Sequence, residues 1–279
     1  MEDVRIAAVQ MQSSVGEISK NLKKMEEFIK KAHAQTVDII CFPELSIQGY
    51  TLKKAKDLAE PLHGQSCNYL QGLSEKHNII ILAGLIEKSE SKPFITQAVI
   101  YPDGRIDKYR KTHLGVTEQH YFRPADKVKT FSYSKAKFGI QLCFDCHFPE
   151  VTTIQALQGA EVVFLPHATP MSLEKRKESW LKYLPARAYD NSLYLVTCNH
   201  YGDNGEGINY QGGCMVFDPL GNLIAETSDK DEEMLVVTLK SSKLDSIRKN
   251  KSDLMRNRFY LESRRPEIYG EIIKNIEND

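Results

Sequence analysis

The chain has 279 residues, 41% hydrophobic and 27% charged, with 37 basic and 37 acidic side chains. That length can bury a sizeable core, and the composition is that of a globular protein rather than a disordered or collagenous one. The even charge balance gives no overall field to attract nucleic acid or anionic lipid, and basic pairs such as Lys23-Lys24, Lys30-Lys31 and Lys53-Lys54 lie beside acids on solvated faces.

In chain order, Val4–Val9 reads as a strand, and Leu22, Met25, Phe28, Ile29 and Ala32 recur at helical spacing. Asp38–Phe42 is a short buried strand ending at Pro43, Cys67–His77 a helix, and Ile79–Ile86 another apolar strand. Phe94–Tyr101 and Arg105–Lys111 form a hairpin around Pro102-Asp103-Gly104. The second half echoes this order: strand Phe138–Leu142, helix Val151–Leu157, and strand Val162–Leu165 ending at Pro166. Glu174–Asp190 is helical, with Pro185 kinking it or ending its first part. Leu193–Thr197 is a strand, Gly213–Phe217 pairs with Asn222–Glu226, and Met234–Leu239 is the last strand before a helix and a charged tail. No linker divides the chain, so residues 1–279 are expected to form one domain. Apolar strands beside amphipathic helices require an α/β architecture of helix-covered sheets, and the hairpins make those sheets mixed. The two similar halves suggest layers related by a pseudo-twofold.

Met1–Gln10 lacks the basic start and long apolar stretch of a secretory signal, and no apolar run reaches membrane-span length. The expectation is a cytoplasmic protein without membrane or nucleic-acid partners. Its cysteines, Cys41, Cys67, Cys143, Cys146, Cys198 and Cys214, are expected to be free thiols, most of them buried.

Three polar residues stand where strands end: Glu44, Lys111 and Cys143. Sites in α/β folds gather outside the carboxyl ends of strands, so the three can meet in space. Singly, each has an ordinary reading, as a turn cap, a solvated lysine and a core thiol. Together, Phe42-Pro43-Glu44, Tyr109-Arg110-Lys111-Thr112-His113-Leu114 and Leu142-Cys143-Phe144-Asp145-Cys146-His147-Phe148-Pro149-Glu150 resemble the three signature segments of the nitrilase superfamily, in that family's order. Glu118 ahead of Tyr121-Phe122-Arg123-Pro124, Arg187-Ala188 before Asn191, Phe217-Asp218-Pro219-Leu220-Gly221 and Arg264-Arg265-Pro266-Glu267-Ile268-Tyr269 extend the likeness over nearly the whole chain.

The resemblance implies a four-layer α-β-β-α sandwich, a Glu44–Lys111–Cys143 triad, a second glutamate at Glu118 that fixes Lys111 or handles substrate, and a homodimer or larger homo-oligomer. The implied chemistry is hydrolysis of a non-peptide carbon–nitrogen bond in a small amide or N-carbamoyl substrate, through a thioester on Cys143. Lys111 and the backbone N–H of Phe144 would hold the oxyanion, and no metal or organic cofactor is required. Such chemistry suits these residue types. A thiol attacks as thiolate, a carboxylate with a raised pKa can serve as both base and acid, and an ammonium stabilises developing negative charge. Cys143-Phe144-Asp145 looks like the amidase and carbamoyl-hydrolase branches rather than the nitrile-cleaving one, while His147 stands where related amidases often carry arginine. Nitrile hydrolysis and a non-catalytic scaffold are the alternatives.

Tyr50, His147, His167, Thr169, Asn199 and Tyr201 are candidates to line the pocket, each with an ordinary loop reading beside it. His113 and His120 read as structural, and Trp180 as a buried or subunit-contact residue. Cys143-x-x-Cys146 has redox or zinc spacing, but no second pair exists to complete a four-ligand site. A reversible Cys143–Cys146 disulfide is the narrower option, with Cys146 as a buried thiol favoured over it.

Overall fold

The computed structural model describes residues 1–227, 231–249 and 259–274. Its elements are β1 (Val4–Gln10), α1 (Ile18–Ala34), β2 (Ile39–Cys41), α2 (Ala55–Leu58), α3 (Gln65–His77), β3 (Ile80–Glu87), β4 (Phe94–Ile100) and β5 (Ile106–Arg110). Next come β6 (Thr130–Ser132), β7 (Lys137–Ile140), α4 (Pro149–Leu157), β8 (Val162–His167), α5 (Leu173–Leu181) and α6 (Leu184–Asn191). The chain continues through β9 (Tyr194–Asn199), β10 (Tyr201–Asp203), β11 (Asn209–Gln211), β12 (Met215–Phe217), β13 (Leu223–Glu226), β14 (Glu233–Leu239) and α7 (Ser241–Arg248).

Two six-stranded sheets result, ordered β14-β1-β2-β3-β4-β5 and β13-β12-β9-β8-β7-β6. In the first, β1, β2 and β3 run parallel while β14 and β4 are antiparallel to their neighbours. The second repeats that pattern: β7, β8 and β9 run parallel, with β6 and β12 antiparallel at either side. The likeness of the two halves is therefore topological, strand for strand, as a pseudo-twofold requires.

Three apolar cores separate four layers. Val4, Ile6, Leu82 and Val99 of the first sheet meet Phe138, Ile140, Phe164 and Val196 of the second in the central core. Leu22, Met25, Phe28 and Ile29, the stripe marked by helical spacing, cover the outer face of the first sheet together with Leu70 and Leu73 of α3. Trp180, Leu184 and Ala188 cover the second. The fold is the expected α-β-β-α sandwich.

The end of β8 differs from the sequence reading. β8 does not end at Pro166 but runs to His167, in register with Cys198 and Asn199 of β9. Its other neighbour, β7, stops opposite Phe164, so on that side the missing N–H of Pro166 faces no ladder partner. Of the two readings of Pro185, the helix is divided rather than kinked: its first part ends at Leu181, and Pro185 lies in the first turn of the second, where a missing N–H costs nothing. The short elements β6, β10, β11 and α2 were not foreseen; they are too brief to show periodicity.

Candidate active site

Strand direction brings the expected residues to one end of the sandwich. β5 is antiparallel to β4, which is antiparallel to β3, so β2, β3 and β5 all point the same way. Met11, just past β1, bridges in parallel to His200, just past β9, which aligns the parallel strands of the two sheets. Glu44 after β2, Lys111 after β5, Cys143 after β7 and Thr169 after β8 thus share a rim.

The Lys111 ammonium donates to Glu44 Oε1 at 2.8 Å and to Glu118 Oε1 at 2.8 Å, with all three side chains buried. Glu118 is fixed in turn. Its Oε1 also accepts from the Tyr50 hydroxyl at 2.8 Å, and its Oε2 accepts from the Gly115 amide at 2.7 Å. An ammonium has three donors, so one remains for a ligand. Burial disfavours charge on Lys111, but Glu44, Cys143 and Glu118 outweigh it and hold the lysine above its ordinary pKa. Glu44 moves to about 7: burial raises it, and Lys111 only partly opposes this. Its Oε2 is buried without a hydrogen-bond partner, which leaves that oxygen able to take a proton.

The approach of Glu44 depends on Gly84 in β3. A Cβ there would lie 2.1 Å from the Leu45 nitrogen and 2.5 Å from the Pro43 carbonyl, so only glycine lets the Pro43–Leu45 turn rest on the strand. From the other sheet, His200 Nε2 meets the Glu44 carbonyl at 2.6 Å. Burial depresses His200 to about 4, so it is the neutral ring, with Nε2–H as the donor, that pins this carbonyl near pH 7.

Cys143 opens a short 3-10 turn, Cys143–His147, with φ of 42°, a left-handed conformation that strains a side-chain-bearing residue. Asp145 secures the turn. Its Oδ2 accepts from the Leu142 amide and the Tyr109 hydroxyl, each at 3.0 Å, and its Oδ1 accepts from the Thr112 hydroxyl at 2.7 Å and the His113 amide at 2.8 Å. Strain at Cys143 is thus offset by bonds to the segment that carries Lys111. Cys143 Sγ lies 3.6 Å from Thr169 Oγ1. Burial pushes the thiol up to about 11, with Lys111 pulling against it. The resting group is a protonated thiol beside a carboxylate poised near neutrality.

The sequence pattern of the carbon–nitrogen hydrolase family matches residues 5–249. The chain belongs to that family. It is 30% identical over 241 residues to a nitrilase of Pyrococcus abyssi, across 85% of this chain and 89% of that one. It is 30% identical over 268 residues to the N-carbamoylputrescine amidase of Solanum lycopersicum, across 88% and 89% of the two chains. Among solved structures, the NitN amidase of Nesterenkonia sp. AN1 superposes with a TM-score of 0.82 at 25% identity, covering 97% of this chain and 100% of that one.

In this carbon–nitrogen hydrolase the remaining expected residues divide. Tyr50 and Thr169 contact the cluster directly, through Glu118 and Cys143. Asn199 acts one step back: its amide accepts from the Thr169 N–H at 2.9 Å and donates to the Gly212 carbonyl at 2.9 Å. His167 lies in the layer beneath α5, with Nδ1 at 2.7 Å from the Leu165 carbonyl, Nε2 at 3.7 Å from Cys146 Sγ and its ring against Trp180. Burial holds it near 3 and therefore neutral. His147 keeps an exposed edge while its ring packs on Tyr183 and Phe144, and this partial burial, with Arg187 nearby, lowers its pKa. It does not replace a permanent cation. Tyr201 begins β10, its amide bonded to the Met11 carbonyl at 3.0 Å. Phe144 is the second residue of the turn, where a backbone N–H has no partner within the helix. Cys146 directs its thiol at the Cys143 carbonyl, 2.8 Å away, and is buried. His113 stacks on Phe148 at 3.9 Å and contacts Asp145, the structural place expected of it.

Asp145, Thr112, Tyr109, His200 and Gly84 support the site without having been singled out. Only Asp145 carried a local signal, as a short acid three residues past the amide it caps. The others act across the fold.

Among the described residues, no helix is long and apolar enough to cross a membrane, and no group of three or more His, Cys, Asp or Glu is placed to hold a metal ion.

Proposed function

We propose that residues 1–279 form one catalytic domain that hydrolyses a small amide or N-carbamoyl substrate through a thioester on Cys143. The reading rests above all on the Lys111 ammonium held between Glu44 and Glu118, with Glu44 Oε2 unpaired. Glu44 takes the Cys143 proton as sulfur attacks the carbonyl carbon. The third Lys111 N–H and the Phe144 N–H hold the oxyanion, a type of contact whose loss typically costs about 3–4 kcal/mol of barrier. As the carbon–nitrogen bond breaks, Glu44 passes its proton to the departing nitrogen. Water then gives a proton to Glu44 and hydrolyses the thioester, restoring the thiol.

Amide and ureido substrates are favoured over nitriles by Cys143-Phe144-Asp145, by the N-carbamoylputrescine amidase relative and by the Nesterenkonia amidase fold match. The Pyrococcus relative, called a nitrilase, makes nitriles the second arm of the test. Ammonia release is measured across amides, ureido compounds and nitriles, with Cys143→Ala as control and mass spectrometry for an acyl adduct on Cys143. Turnover of amide or ureido compounds with an adduct is expected. Folded protein giving neither would leave the scaffold reading, and turnover of nitriles alone would replace the substrate class.

The free thiols fit a reducing cytoplasm. Ile154 and Leu157 on α4, Leu181 ending α5, and Ile268, Ile272 and Ile273 near the C-terminus are exposed, and support assembly as at least a homodimer. Light scattering showing a monomer would exclude that assembly.

A further inference from the structure

Arg176 on α5 is 1% exposed, yet among the described residues no carboxylate pairs with it. Its Nη2 donates to the Thr169 carbonyl at 2.5 Å and the Met171 carbonyl at 2.7 Å, while Nε and Nη1 are buried without partners. The guanidinium lies 5.4 Å from the Trp180 ring centroid. Burial brings Arg176 down to about 10, which still leaves it charged at neutral pH. Holding two carbonyls needs no ion: a buried neutral amide would do so without the cost of a desolvated, unpaired charge.

Its position connects that charge to the nucleophile. Thr169 presents its carbonyl to Arg176 and its hydroxyl to Cys143 Sγ, so the guanidinium sits one residue beyond the thiol. Gly213 has no side chain to displace the arginine: a Cβ there would come 3.1 Å from Arg176 Cδ. His147, by contrast, offers no lasting charge.

We propose that Arg176 is the anion anchor of the pocket, binding through Nε and Nη1 a substrate carboxylate a few carbons from the scissile carbonyl. The inference rests on the hydrolase reading above and narrows its substrate class to amido acids or ureido acids. A guanidinium–carboxylate pair in such a buried place discriminates against a neutral isostere by about 10- to 100-fold.

The test compares kcat/KM within two matched pairs, glutaramate against valeramide and 3-ureidopropionate against propylurea. The pairs separate an anchor used by the acyl part from one used by the leaving amine. In wild type at least one acid is preferred by about 10-fold or more. In Arg176→Gln that ratio falls toward one, mainly through KM, and Arg176→Lys recovers part of it. The ratio is read within one preparation, so incomplete folding of a variant does not affect it. Neutral members turned over as well as the acids in wild type, or an unchanged ratio in Arg176→Gln, would overturn the proposal.

Binding is read separately, by glutarate or 3-ureidopropionate quenching Trp180, the sole tryptophan, in Cys143→Ala protein. Quenching that disappears in Cys143→Ala/Arg176→Gln supports the anchor even if no substrate is hydrolysed, in which case only the hydrolase reading falls. Turnover of neutral amides with no acid binding removes the anchor and leaves the hydrolase standing.

Discussion

The Tyr109 hydroxyl donates to Asp145 Oδ2 at 3.0 Å, in a fully buried pair that joins the strand delivering Lys111 to the turn carrying Cys143. Through it, ammonium and thiol keep one spacing although they belong to different sheets. Asp145→Asn keeps the size but puts an NH₂ group among N–H and O–H donors. Leaving such groups unsatisfied costs about 1–3 kcal/mol each, so a loss of about 2–3 kcal/mol in unfolding free energy is expected. We expect kcat to fall with it, because the left-handed Cys143 loses its brace. Denaturant titration and steady-state kinetics check this, and an Asp145→Asn protein with wild-type stability and kcat would show that the brace is dispensable.

The raised pKa of Glu44 predicts a pH profile. The base form is needed to accept the thiol proton, so kcat/KM should fall about tenfold per unit as pH drops below about 7. An ordinary glutamate would place that limb near 4.5. Stability runs the other way. The folded state keeps a proton on Glu44 where the unfolded chain has released it, so this contribution is complete below the unfolded value and is lost as pH rises through about 7. A limb near 4.5 in kcat/KM would mean that Glu44 is not perturbed.

How much could be read in advance depended on whether each signal was local. Strand ends placed Glu44, Lys111 and Cys143 where loops converge, the resemblance of the three segments around them singled them out together, and the outer helices followed from the spacing of Leu22, Met25, Phe28 and Ile29. Arg176 was invisible among Lys175, Lys177 and Lys182, since only the fold buries that one cation. His200 and Gly84 act on Glu44 across long sequence distances, by a ring beneath its carbonyl and by an absent side chain. Strand alternation sets His167 on the α5 side of β8, against Trp180, and Pro166 had hidden the true strand end.

Lys111→Met removes the ammonium and leaves Glu44 and Glu118 buried and facing each other. Breaking a buried pair by deleting one partner costs about 3–5 kcal/mol, and loss of an oxyanion donor lowers kcat about 10²- to 10³-fold. Adding Glu118→Gln should restore part of the stability but none of the rate. Thermal unfolding and single-turnover acylation separate the effects, and a Lys111→Met enzyme within tenfold of wild-type kcat would contradict the assigned role.

Gly84→Ala tests whether backbone contact sets the position of Glu44. The added methyl collides with the Leu45 nitrogen and Pro43 carbonyl, neither of which can swing aside as a side-chain end would. Overpacking of this kind costs about 1–3 kcal/mol. Because the turn must lift off β3, kcat should fall more than KM changes. A variant with unaltered kcat would show that the turn has room to move.

Cys146 is one turn past the nucleophile, but its thiol faces the Cys143 carbonyl at 2.8 Å and packs near His167 and the Tyr183 hydroxyl, whereas Cys143 Sγ faces Thr169. Burial raises the Cys146 thiol above its ordinary range, which keeps it a poor nucleophile toward an oxidised neighbour. Wild type and Cys146→Ser should therefore lose activity to peroxide at similar rates and recover to the same extent with added thiol, the reversible product being a sulfenic acid on Cys143. Protection or recovery that depends on Cys146, with the loss of two protons by mass, would establish a disulfide and require the turn to unwind.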